Sequence, residues 1–204
     1  MRNNKNILIG GLLAIVLFMA VGYAAFSTSL SIGGTVSTKG TWGCGIKEIS
    51  KSESGATGSF TTGGTATTLN KISVYPEATL TSTFTKPGDS VTYTVTFANV
   101  GDFNATLAAL TSSNVTSTGT YACTVAVSGT TATCTYNVSG GGVIKYTINS
   151  TAAANLAKYA NNTAATSSIT VKAEFVDETL SSFNTAGTQI AVPLTISRAC
   201  NQEV

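Results

Sequence analysis

Four cysteines, Cys44, Cys123, Cys134 and Cys200, are the residues of this sequence whose spacing points most directly to covalent chemistry. Cys123 and Cys134 flank Thr124 to Thr133, with Ser128-Gly129 at the centre. Strands paired about that turn set residues whose numbers sum to 257 opposite one another, so Cys123 faces Cys134, Tyr121 faces Tyr136 and Val125 faces Ala132. Directly opposed Cα atoms lie ~4.5–5.5 Å apart, within disulfide range. The expected pairs are therefore Cys123–Cys134 and, by remainder, Cys44–Cys200. The second closes a long loop, worth roughly 4–5 kcal/mol on the chain-entropy model. Two such bridges place the chain in an oxidising compartment. No Cys-x-x-Cys spacing occurs and histidine is absent, so the cysteines are not read as zinc ligands.

Other reactive constellations are missing. Without histidine there is no Ser-His-Asp or Cys-His arrangement and no His-ligated metal or haem. Asp177 and Glu178 are adjacent, so in a strand they point to opposite faces and read as solvated turn residues rather than an acid/base pair. Asp89 and Asp102 stand in turns that favour Asp for conformational reasons. A serine or threonine nucleophile would need a lysine base, but Lys145 and Lys172 lie within strand patterns and show no Ser-x-x-Lys spacing. Tyr93, Phe97 and Tyr146 share parity with apolar neighbours, which assigns them to the core rather than to a sugar-binding face. Trp42, between Gly and Cys neighbours, has no evident place. The five Asn-x-Ser/Thr sequons match chance for so Ser/Thr-rich a chain. The expectation is a non-catalytic protein without cofactor or metal.

The chain has 204 residues, enough for one domain and an appendage at ~150 residues per domain. Thr and Ser number 36 and 22, hydrophobic residues make up 43% and charged ones only 10%. That balance excludes a disordered chain. Arg2 and Lys5 are two of the eleven basic residues; without them nine basic residues balance nine acidic ones, and a neutral surface has no means of gripping nucleic-acid phosphates. The same two residues precede an uncharged stretch from Ile7 to Phe26 that ends in small residues. This order marks a secretory signal peptide, with a signal peptidase cutting within Gly22, Tyr23, Ala24 and Ala25. About 20 apolar residues also suffice to cross a bilayer as a helix. If residues 7–26 stay uncut, they anchor the chain in the membrane. Either way residues 27–204 are expected outside the cytoplasm, at the cell surface or secreted.

Behind that segment the pattern is almost wholly β. Phe26, Leu30, Ile32 and Val36 alternate with serines and threonines, the period-two mark of a half-buried strand. Ile46 and Ile49 belong to a second short element, followed by a loop or hairpin with a mobile tip over residues 51–68. Ala78, Leu80 and Phe84 precede Lys86-Pro87-Gly88-Asp89, a sequence suited to a type II turn. Val91, Tyr93, Val95 and Phe97 alternate next, until Asn99-Val100-Gly101-Asp102 breaks the strand and Phe103 to Leu110 resumes it. The cysteine hairpin covers residues 121–138, and Ile144, Tyr146 and Ile148 follow. Residues 152–160 are the one helical candidate. Ile169, Val171, Ala173 and Phe175 form another strand, as do Ile190, Val192, Leu194 and Ile196, where Pro193 suits an edge. Eight or nine short strands predict an all-β, antiparallel β-sandwich, jelly-roll or immunoglobulin-like, as a single domain over residues 26–204 after the signal or anchor of residues 1–25.

Two stretches resemble the bacterial TasA/camelysin family of exported matrix proteins. One is Gly22-Tyr23-Ala24-Ala25-Phe26 with Gly34-Thr35-Val36 and Gly40-Thr41-Trp42; the other runs from Lys86-Pro87-Gly88-Asp89 through the Thr-rich strand to Asn99-Val100-Gly101. Together they cover roughly a quarter of the chain. The resemblance implies a jelly-roll protein of the biofilm matrix whose signal peptide is cut by a dedicated signal peptidase. It also implies fibres in which an N-terminal strand of one subunit completes the sheet of the next. Phe26, Leu30, Ile32 and Val36 would be that donor strand, freed by cleavage. The expected partners are then further copies of this chain or other surface proteins. The alternative is a monomeric, tethered or secreted binding module or adhesin, in which residues 26–38 form an ordinary first strand.

Overall fold

Alternation between apolar and hydroxyl side chains lets a strand bury one face while the other stays wet, and most of this chain obeys it. The computed structural model describes residues 40–117, 123–138, 142–176 and 189–203. All belong to one unit, Lys39–Val204. In chain order the strands are β1 (Cys44–Ser54), β2 (Thr57–Gly63), β3 (Thr67–Leu69), β4 (Ile72–Val74), β5 (Glu77–Phe84), β6 (Ser90–Asn99), β7 (Ala105–Leu107), β8 (Val115–Ser117), β9 (Thr124–Ser128), β10 (Thr131–Val138), β11 (Gly142–Asn149), β12 (Ala154–Leu156), β13 (Ala165–Phe175), β14 (Ile190–Ser197) and β15 (Cys200–Gln202). A 3-10 turn over Ser112–Asn114 is the only helical element among the described residues. Nine of the strands exceed three residues, the length at which alternation becomes legible.

Two antiparallel sheets stack as a sandwich. The larger has the order β1-β6-β13-β11-β10-β9 and the smaller β2-β5-β14-β8. A three-stranded sheet β12-β7-β15 and the hairpin β3-β4 accompany them. The predicted inward residues of β5, β6, β11, β13 and β14 fill the core, with Leu80, Phe84, Val95, Phe97, Ile148 and Leu194 all at 0% exposure. Full burial of such a side chain stabilises by about 1.5–3 kcal/mol. Tyr93, Tyr136 and Tyr146 cross the sandwich from the larger sheet, and each finds an acceptor for its hydroxyl. Tyr93 donates to the Thr81 carbonyl (2.7 Å), Tyr146 to that of Val192 (2.6 Å) and Tyr136 to that of Pro193 (3.0 Å). Burial pushes all three phenols above their ordinary pKa. The Lys86–Asp89 turn has Gly88 at φ +90°, as a type II turn requires of its third residue.

Four local expectations change. Residues 152–160 form no helix: Ala154–Leu156 pairs with β7, and Tyr159 N–H donates to the Gly101 carbonyl. Nine residues are too few for a helix without tertiary support, whereas pairing buries Leu156. The segment after Lys51 is neither a loop nor a β1–β2 hairpin, because β1 runs to Ser54 in the larger sheet and β2 starts at Thr57 in the smaller. A bulge at Lys47 puts Ile46 and Ile49 on one face, which hid β1's period. Phe103–Leu110 contributes only the three residues of β7. Finally, Pro193 is not on an edge strand, since β14 lies between β5 and β8. The short β8 pairs only with Leu194–Ile196, so among the described residues no β8 ladder bond is lost at the proline.

Candidate functional site

Both expected cystines form, and no described cysteine is free. Cys44 and Cys200 have Cα atoms 6.0 Å apart and tie the start of β1 to β15. Cys123 and Cys134 are 5.5 Å apart, but the register differs from the one expected. The hairpin turns on Gly129-Thr130, so Ser128 faces Thr131 and Cys134 faces Val125. Gly129, at φ +58°, supplies the left-handed residue that a two-residue hairpin needs. Moving the register by two preserves the faces, and Cys123, just ahead of β9, reaches Cys134 as a diagonal neighbour. Two cystines fit an oxidising compartment.

The donor residues Phe26, Leu30, Ile32 and Val36 and the cleavage residues Gly22, Tyr23, Ala24 and Ala25 lie outside the described residues, as do Asp177 and Glu178. What the structure does describe is where the N-terminal segment attaches. Thr41 donates through its backbone N–H and its hydroxyl to Asp102 Oδ2, each at 2.8 Å. Asp102 N–H returns a bond to the Thr41 carbonyl (2.9 Å), and Val100 N–H donates to Gly43 (2.7 Å). The Thr41 donors hold the Asp102 carboxyl below its ordinary pKa. Trp42, 37% exposed, lies in this pinned stretch. Behind it Asn99, fully buried, donates to the carbonyls of Phe103, Leu156 and Ala157 and accepts from Gly101 N–H.

Among the described residues the two sheets end in terminal strands on two sides, which differ in charge. On one side the terminal strands are β1 and β2. Lys51 and Glu53 face Tyr93 and Val91 across the β1–β6 ladder, so their side chains emerge on the inner face. Lys51 Nζ bonds Glu53 (2.7 Å) and the Gly58 carbonyl, and Gly58 N–H donates to the same Glu53 oxygen (2.7 Å). The salt-bridged pair thus occupies the backbone N–H and C=O of Gly58 in β2. Inward-pointing charges of this kind blunt an edge against pairing with another chain. The Lys51 ammonium, together with Gly58 N–H, holds the Glu53 carboxyl below its ordinary range.

On the other side the terminal strands are β8 and β9. From Phe103 to Ile144 the sequence carries no charged residue. Among the described residues β9 pairs on one side only, with β10. Its Val125 and Val127 face Cys134 and Ala132 on the inner side, yet Val127 is 44% exposed. An uncharged, β-branched edge that leaves an apolar side chain exposed is a template for strand addition. The long uncharged run was the available sequence signal for this side. Nothing in the sequence pattern announced the Lys51–Glu53 guard.

The remaining described carboxylates and lysines with resolved partners sit in local bonds. Asp89 is 2% exposed; burial opposes its charge, but the N–H and hydroxyl of Thr85 and the N–H of Lys86 prevail and hold its carboxyl below the usual range. Lys172 pairs with Glu174 at 2.9 Å on the exposed face. Among the described residues no group of three or more Cys, Asp or Glu could hold a metal ion, and no helix is long and apolar enough to cross a membrane. No protein-family model, curated protein or solved structure matches the chain.

Proposed function

We propose that this is an exported, non-catalytic structural protein of the bacterial surface or extracellular matrix. Its subunits join when residues 26–36 of one copy add as a strand to the β9 edge of another. The contrast between the two sides carries this reading: a charged pair takes the backbone N–H and C=O of Gly58 on β2, while β9 offers an uncharged ladder and an exposed Val127. The donor has the complementary pattern, with apolar Phe26, Leu30 and Ile32 on one parity and serines on the other. Fully extended, its eleven residues span ~36–40 Å, enough to reach a neighbour from an attachment fixed at Thr41. Uncut, the same segment stays tethered to the membrane, so signal cleavage would control assembly. The disulfides support export, since they persist in oxidising surroundings.

Deletion of residues 26–36 from the mature chain tests the reading. Light scattering and electron microscopy should find fibres from the intact chain, whose exported form begins near Phe26, and folded monomers from the deletion. Fibres from the deleted protein would refute strand addition by this segment.

A further inference from the structure

We propose that the cleft between two tight turns, Asn70-Lys71 and Asn161-Asn162, binds a carboxylate-bearing sugar. The first turn joins β3 to β4, with Leu69 facing Ile72. The second is closed by reciprocal backbone bonds between Ala160 and Thr163. All four central residues have positive φ, 53° and 65° in the first turn and 51° and 64° in the second, the signature of type I′ turns. Asn tolerates this conformation, but at the second position glycine is the favoured residue and Lys71 stands there instead. Residues kept in a costly backbone conformation are a reason to look for a role.

Both turns are fixed to the same short segment. Asn70 Nδ2 donates to the Val100 carbonyl (3.0 Å) and Tyr159 N–H to that of Gly101 (2.9 Å). The Tyr159 hydroxyl donates to Asn162 Oδ1 (3.1 Å). Between them lies a cleft of about 360 Å³ lined by Asn70, Lys71, Ile72, Tyr159 and Asn162. These anchors leave a definite set of free groups: Asn70 Oδ1 as an acceptor, Asn162 Nδ2 as a donor, and the Lys71 ammonium, which has no ion pair among the described residues. Ile72 and Tyr159, half-buried, supply an apolar floor.

A pyranose ring presents the matching pattern. Its C–H face packs on an aromatic ring, its neighbouring hydroxyls take one donor and one acceptor, and a carboxylate at its edge meets the ammonium. An apolar floor with few, fixed polar groups is the usual form of a small-molecule site, and fixed turns reduce the ordering cost of binding. An acidic peptide would use the ammonium and the amide pair but has no C–H ring face to lay on Tyr159.

NMR titration of the full mature chain with glucuronic acid, glucose and triglutamate tests the assignment. Glucuronic acid should shift resonances of residues 70–72 and 159–163, and glucose should bind at least tenfold more weakly. Lys71→Gly should weaken glucuronate at least tenfold while leaving thermal stability equal or higher, because glycine suits the turn. Tyr159→Ala should weaken both sugars. Absence of shifts with glucuronic acid, triglutamate binding as tightly as the sugar, or unimpaired binding by Lys71→Gly would each overturn the proposal.

Discussion

Replacing Asn99 by Ala should be among the most damaging single changes outside the apolar core. The side chain is fully buried and serves four backbone groups. Its two amide hydrogens meet three carbonyls, Phe103 at 2.7 Å, Leu156 at 3.1 Å and Ala157 at 3.2 Å, so one hydrogen is shared. With the bond from Gly101 N–H (3.1 Å), the variant loses about three effective bonds. At about 1 kcal/mol each, and ~1–3 kcal/mol for a buried group left unsatisfied, the loss comes to roughly 4–6 kcal/mol. For a domain of this size that lowers the Tm by roughly 8–24 °C. Urea denaturation followed by circular dichroism should show the midpoint falling with the slope unchanged. Asn99→Asp keeps the acceptor for Gly101 but offers three carbonyls no donor at neutral pH, so it should be at least as destabilised and recover partly on acidification. A loss below about 1 kcal/mol for Asn99→Ala would refute the reasoning, since water would then be replacing the amide at little cost.

Three further outcomes are expected. Paired Ser substitutions at Cys44 and Cys200 should lower stability by about 5 kcal/mol on the chain-entropy model and those at Cys123 and Cys134 by about 3 kcal/mol, both differences vanishing under reductant in denaturation curves. Asp89 has a folded-state pKa below its unfolded one, so its contribution is complete above ~3.9 and disappears as pH falls through the folded value; Asp89→Asn should flatten the acid limb of the stability–pH curve. Joint replacement of Lys51 and Glu53 by Thr should bare the β2 edge, and sedimentation should then show new association even without residues 26–36.

Period-two alternation carried most of the fold. Leu80 to Phe84, Val91 to Phe97 and Ile190 to Ile196 were legible because each buries one face against a two-layer core. β1 was illegible beyond Ile49 because its bulge breaks the period and its inner face then turns to Lys51 and Glu53. The cysteine hairpin was right in pairing and wrong in register, because the position of Gly129 within the turn, rather than the midpoint between cysteines, sets which residues face each other. Residues 154–156 misled because alanine-rich composition speaks for a helix, while the partner that makes them a strand, β7, is distant in sequence. Asn99 looked like a strand breaker; its role as a donor to three carbonyls depends on loops that only the folded chain brings together. The tight turns around Tyr159 gave no signal, since neither carries the glycine that usually marks them.

Strand addition at β9 can be observed directly. A photoreactive amino acid placed at Val127, in fibres grown from mixed isotope-labelled and unlabelled mature chains, should cross-link to residues 26–36 of a different copy, giving mixed-label peptides in mass spectrometry. Cross-links confined to residues 40–203, or single-label peptides only, would contradict the account.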